Sequence, residues 1–409
     1  VAIIRAFRPF RYTAEAGPLA ELIAPPYDVI SPAERDALAA RREACAIHVI
    51  LPKGEEKYSA AAELLADWKA RGLIRRDDEP AHFLSCQGFS AGGQDYERWG
   101  LLTTLQLERF EDDIVLPHER TLTGPKEDRL RLIRACRTNL SPIFCFVDTA
   151  LGLAGLADKA EALDDFMDDK GVRQRVWKLT DEASMQSIVA TIEGEQVFIA
   201  DGHHRYETAL GYRDERRAEA AASGGGADSD FVMAHICSTR DAGLAVLPTH
   251  RIPKKAPDLG AFEARCRELC EVTEMTDGKA LWAALATAPA GERHPRLGIV
   301  LPGGKNLLLE PAIGAREKLA ALAPELAILD VTFLHDVVLP EIPNDQFTYT
   351  HDESETIAAV ENGSAGLAIL LPPPSVEDVL SISRAALTMP QKSTYFYPKV
   401  PSGIGYNPI

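Results

Sequence analysis

The stretch that most constrains the fold runs from 182 to about 212. Residues 182–193 place Met185, Ile188, Val189 and Ile192 at helical spacing. Val197, Phe198 and Ile199 form an apolar run, Asp201-Gly202 turns, and Tyr206, Ala209 and Leu210 resume the helical pattern. Helix, strand, Asp-Gly and helix are therefore expected as one local unit. A strand that feeds directly into a helix leaves backbone N–H groups without partners at the helix start, and such a start attracts anions. Gly202 allows close backbone approach. His203, His204 and Arg205 add donors and protons at the same place. The stretch reads as a phosphate site with acid–base groups attached. A capped turn with surface histidines is the plain alternative. Against it stand four functional side chains, Asp201, His203, His204 and Arg205, within five positions.

Composition narrows the partners. The chain has 409 residues and 46% apolar content, enough for two or three domains with a large core. A net charge of −17 does not suit broad duplex binding, which needs a cationic surface, so nucleic acid is not the expected partner. A local basic pocket for a small anionic or phosphorylated molecule fits better. Apolar runs such as 367–371 are too short to cross a bilayer, and the first residues carry no long apolar segment, so a cytoplasmic protein is expected. The seven cysteines are scattered; Cys266 and Cys270, one helical turn apart, are expected to pack rather than bind metal. Oligomeric state is not legible.

Other segments carry polar clusters. Pro25-Pro26 brace Tyr27 and Asp28. Ser31-Pro32-Ala-Glu34 is a helix start, 45–51 is expected as a strand holding His48, and 81–109 as a hairpin turning at 90–93. A second cluster, His118, Glu119, Thr121, Lys126 and Arg129, lies between a strand and a helix that runs through 137. There Glu119 would bind Mg²⁺ or act as base, and Lys126 would neutralise phosphate. A solvated loop before a charged helix start is the alternative for this cluster. Residues 153–170 are expected as an acidic helix. The glycine-rich 223–229 is expected as a flexible loop and is a candidate lid. Thr249, His250 and Arg251 form a minor polar group. Lys392, Ser393, Thr394 and Lys399 have a density that suits phosphate, or else line an edge strand.

Taken together, Pro25–Ile30, Leu116–Thr121 with Pro125-Lys126, Ala200–Tyr206, Leu247–Arg251 and Met389–Lys399 resemble the bacterial and archaeal family known as DUF1015, over nearly the whole chain. More distantly, helix, strand, Gly-x-x-Arg and helix resemble the ParB/sulfiredoxin superfamily, in which this helix start binds nucleotide phosphates. Gly202, His204 and Arg205 match its Gly-Gly-Cys-His-Arg string, and His203 stands where sulfiredoxin has cysteine, so sulfiredoxin chemistry is not implied. Free serine kinases belong to that superfamily. The resemblance thus implies an α+β fold with a ParB/sulfiredoxin-like core and additional mixed α/β segments. It also implies a small-molecule phosphotransferase using ATP, ADP or another phosphate donor, with Mg²⁺, on serine or phosphoserine.

On this reading Asp201, His203, His204, Glu119 and His118 are the catalytic candidates. Gly202, Arg205, Lys126, Arg129, Asp28, Tyr27, Thr121, Lys392, Ser393, Thr394 and Lys399 are the phosphate and substrate candidates. A metal-dependent phosphate-ester hydrolase and a non-catalytic, nucleotide-responsive protein of ParB type are the alternatives. The expected divisions are 1–150, a strand-rich N-terminal segment; 151–255, the core; 256–345, a packing subdomain; and 346–409, a segment returning to the site.

Overall fold

The computed structural model describes residues 1–121, 123–223, 228–287 and 294–409; the middle of the glycine-rich 223–229 loop lies outside them. The chain forms two compact units. The first comprises 1–117, 121–245 and 398–409, and the second 118–120 and 246–397. Both mix helix and sheet, as an α+β fold requires.

The first unit is built on a nine-stranded sheet. Its strands are β1 (Ile4–Arg5), β2 (His82–Ala91), β3 (Gln94–Gln106), β4 (Val115–Leu116), β5 (Ile143–Val147), β6 (Glu161–Met167), β7 (Arg173–Leu179), β8 (Val197–Asp201) and β9 (Phe231–Ser238). The order is β4-β8-β5-β9-β3-β2-β7-β6, with β1 on β3. The pairs β8/β4 and β9/β5 are parallel and the remaining pairs antiparallel. β8 is thus interior, which explains its continuous apolar run: both faces are covered. Its flanking helices, α1 (Glu182–Glu193) and α2 (His203–Ser223), send Ile188, Ile192, Tyr206 and Ala209 into one core with Val197, Ile199, Ile143 and Val147. Tyr206 is buried, yet its hydroxyl bonds both backbone groups of Glu108, at 2.9 and 2.8 Å. This fixes the first turn of α2 against the sheet.

Two segments differ from expectation. Residues 45–51 contain a single helical turn, Ile47–Ile50, not a strand. Ile47, Val49 and Ile50 are all buried, and a short apolar run buried all round has no period with which to tell helix from strand. Within 153–170, Leu153–Lys159 is a 3₁₀ segment and Glu161–Met167 an edge strand rather than one helix. Edge position explains its acidity, because charged side chains blunt an exposed edge.

The second unit holds an antiparallel sheet of β10 (His250–Pro253), β11 (Cys270–Met275), β12 (Leu297–Leu301), β13 (Lys305–Pro311), β14 (Phe347–Thr350) and β15 (Ala368–Leu370), in the order β11-β13-β12-β15-β10-β14. Helices Gly278–Ala286 and Glu353–Glu361 cover it through Leu281, Leu285, Ile357 and Val360. Gly298 lets the first of these close in, since a Cβ there would lie 2.7 Å from Leu285. Cys266 and Cys270 do not share a helix as expected. The helix ends at Leu269, and Cys270 opens β11; all seven cysteines are free and buried.

Candidate functional site

In the first unit the helix start of α2 is organised by one carboxylate. Asp201 ends β8. Its Oδ2 accepts from Arg205 Nη2 at 2.5 Å and its Oδ1 from Lys399 Nζ at 2.5 Å. The three side chains are each only 11–12% exposed. Burial alone would raise the Asp201 carboxyl; the charges of Lys399 and Arg205 outweigh it and hold the group well below the usual carboxylate range. His203 adds its charge in the same direction, so it lies close to that carboxylate. His203 is buried, and His204 half-buried.

The backbone explains how Arg205 folds back. Gly202 has φ +95°, and a Cβ there would stand 2.9 Å from the Arg205 guanidinium carbon. The positive φ favours glycine, and a Cβ would push the guanidinium from its place beside Asp201. Arg205 also donates through Nη1 to the Pro142 carbonyl, while its buried Nε has no partner. Lys399 is delivered from the far end of the chain. Arg98 donates to the Pro398 carbonyl and Gln87 Nε2 to that of Lys399 at 3.3 Å, pinning the segment beside β2 and β3.

Arg205 lines a cavity of about 60 Å³ together with Tyr27, Arg129, Asn139 and Ser141, over an apolar floor that includes Ile143 and Val232. That is room for a few waters or one phosphate-sized group. Arg129 lies 4.2 Å over the Tyr27 ring, donates to the Ile50 carbonyl at 2.5 Å and pairs with Asp128. Burial, and then the neighbouring Asp28 charge, push the Tyr27 hydroxyl up to about 12. Two guanidiniums and a neutral phenol therefore face one small space. Asp28 itself is exposed and outside the lining.

A third group sits one turn further along α2. Glu207 accepts from Thr121 Oγ1 at 2.8 Å and from Lys126 Nζ at 2.7 Å. Lys126 was expected to meet phosphate; here its charge already has a partner. The sequence does not single out Glu207. Its signal was spacing alone, since residues three and four positions after His204 and His203 share their helix face. Asp128 likewise carries no sign of its partners in the sequence. It accepts from Lys57 and Tyr58, both at 2.7 Å, as well as from Arg129, and so anchors the base of the cavity.

The remaining candidates belong to the second unit. His118 is buried and its Nε2 bonds Thr394 Oγ1 at 2.8 Å. Glu119 pairs in parallel with Met389 as an isolated bridge, and its charge acts on Arg251 and Tyr349. Ser393 is buried, donating to the Pro390 carbonyl at 2.5 Å, and Lys392 is exposed in a turn with φ +59°. Among the described residues, no group of three or more His, Cys, Asp or Glu is arranged to hold a metal ion, and no helix is long and apolar enough to cross a membrane.

The model of a family described as "Protein of unknown function (DUF1015)" matches residues 4–332. No curated protein matches the chain. Among solved structures, a conserved hypothetical protein from Pyrococcus furiosus is 15% identical over 74% of this chain and 94% of its own, with a TM-score of 0.36. A mutant free serine kinase in complex with ADP is 13% identical over 72% of this chain and 87% of its own, with a TM-score of 0.35. SbnI with a C-terminal truncation, from Staphylococcus aureus, is 9% identical over 73% and 84%, with a TM-score of 0.35.

Proposed function

We propose that this chain, which belongs to the DUF1015 family, is a small-molecule phosphotransferase that holds the phosphates of a nucleotide donor at the start of α2. The observation that carries the reading is the Asp201 carboxylate tied to both Lys399 and Arg205 at a glycine-led helix start, beside a cavity that Arg205 and Arg129 share. In an acidic chain, five cations (Lys57, Lys126, Arg129, Arg205 and Lys399) meet three carboxylates (Asp128, Asp201 and Glu207) in these contacts. The excess is positive. Phosphate can be met by the Arg205 Nε, which has no partner, and by the backbone N–H groups that a helix start directs outward.

The chemistry follows from this arrangement. The substrate hydroxyl oxygen forms a bond to the transferred phosphorus, the bond from that phosphorus to the donor's bridging oxygen breaks, and the hydroxyl proton leaves to a base. Asp201, held strongly acidic, is a poor proton acceptor at neutral pH and serves to position Lys399 and Arg205. His203 or His204 takes the proton. Arg205 and Lys399 offset charge that builds on the donor oxygens. Mg²⁺ travelling with a nucleotide needs only one or two protein carboxylates. Asp201 and Glu207 are both bonded to cations of this chain already.

Thermal denaturation with millimolar ATP, ADP, AMP and pyrophosphate tests the binding half of the reading. At about 100-fold excess over Kd, a ligand adds about 2.7 kcal/mol, a rise of a few degrees in Tm. A rise with ATP or ADP is expected; no rise with any of the four contradicts it.

A further inference from the structure

The cavity beside α2 presents hydrogen-bond donors without acceptors to match them. Asn139 lines it and is 6% exposed. Its Oδ1 accepts from the Met233 backbone N–H at 3.0 Å and from Asn407 Nδ2 at 2.9 Å, which fixes the end of the amide that is the carbonyl. The N–H groups on its Nδ2 have no acceptor among the described residues. Tyr27 lines the cavity too, and its hydroxyl makes no hydrogen bond among the described residues. Burial pushes that hydroxyl up to about 12, so at neutral pH it keeps its proton and donates. Thr138 and Thr208, by contrast, already give their hydroxyl protons to the Cys136 and Lys126 carbonyls, at 2.9 and 3.4 Å.

The charge around these unused donors is positive. Lys57 and Arg129 share Asp128, and Arg205 and Lys399 share Asp201, so four cations meet two carboxylates. No Asp or Glu lines the cavity itself, and much of its wall is apolar, from Ile50, Leu132, Ile143 and Val232. A volume of about 60 Å³ holds a carboxylate on a short carbon chain. Unpaired donors in positive surroundings call for the oxygens of an anion. An ammonium would meet donors and like charge there, with no carboxylate to receive it.

We infer that the phosphoryl acceptor is a small hydroxy acid without an amine, its carboxylate seated on Asn139 Nδ2 and the Tyr27 hydroxyl. The inference rests on the phosphotransferase reading of this site and ranks such an acid above serine. Arg205 both lines the cavity and bonds Asp201 at the start of α2, so an acceptor seated here lies beside the phosphate site. The carboxylate is unchanged in the transfer. The acceptor's hydroxyl oxygen bonds to phosphorus, the donor's bridging oxygen leaves with its electron pair, and the hydroxyl proton goes to His203 or His204.

The test is the rate of phosphate-ester formation from ATP or ADP with three matched acceptors. 3-Hydroxypropionate has the hydroxyl and the carboxylate, serine adds the ammonium, and 1,3-propanediol lacks the carboxylate. The kcat/KM for 3-hydroxypropionate should exceed that for either of the others by about tenfold or more. Asn139→Asp keeps the oxygen that meets Met233 and Asn407 and puts a negative oxygen where the unused N–H groups were. It should raise KM for 3-hydroxypropionate by about tenfold with kcat little changed, and move the preference toward serine. If that variant fails to fold, judged by circular dichroism, Tyr27→Phe decides, with about a tenfold rise in the same KM expected. Faster transfer to serine or propanediol, or an unchanged KM in the folded variant, overturns the inference and leaves phosphate transfer standing. No transfer to any of the three by protein that binds nucleotide overturns both.

Discussion

Asp201→Asn lowers the unfolding free energy by about 3 kcal/mol in urea denaturation at pH 7, with an unchanged m-value. The amide keeps the shape but removes the charge that holds Lys399 and Arg205, leaving two largely buried cations without their shared anion. The pH dependence has a definite sign. The folded-state carboxyl is depressed below its unfolded value of about 3.9, so its stabilisation is complete above that pH. It is lost as pH falls toward the folded-state value. The gap between wild type and variant should therefore be constant from pH 5 to 7 and shrink below about pH 4. Lys399→Met in the Asp201→Asn background should cost less than it does alone, because the two residues share one interaction. A cost under about 1 kcal/mol for Asp201→Asn would assign these ion pairs to the weak, solvent-screened class instead.

Arg205→Lys weakens nucleotide binding by about 10- to 100-fold, the range for losing a hydrogen bond to a charged group. Lysine keeps the charge but cannot reach Asp201 and the Pro142 carbonyl while presenting a further donor, as the guanidinium does. Titration calorimetry with ADP measures the change, and urea denaturation of the same sample separates it from loss of fold. Unchanged affinity in a folded variant would remove Arg205 from the phosphate site.

The unit from 182 to 223 was legible because its signals are contiguous. The helical period before β8, the glycine turn and the renewed period after it need no distant information. What lies around it was not legible. Asp201 and Lys399 are 198 residues apart, and sequence presents them as two separate candidates rather than one ion pair. The sequence presents Arg205 as a free phosphate ligand, but two of its three nitrogens are already engaged, one by a carbonyl that has no sequence signature at all. Glu207 looked like an ordinary polar position on an amphipathic helix. Lys126 and Thr121, which give it meaning, come from another segment. The single turn Ile47–Ile50 was lost for a different reason: it is too short and too uniformly buried to show a period.

The central claim is phosphate transfer, and ³¹P NMR of the protein with ATP or ADP and a small hydroxyl acceptor such as serine measures it directly. The account predicts a new phosphomonoester resonance that depends on the acceptor and is lost when both His203 and His204 are replaced by alanine in a protein that still binds nucleotide. Release of inorganic phosphate without acceptor would make the protein a hydrolase. Nucleotide binding with neither product, across a panel of small alcohols, would contradict the claim.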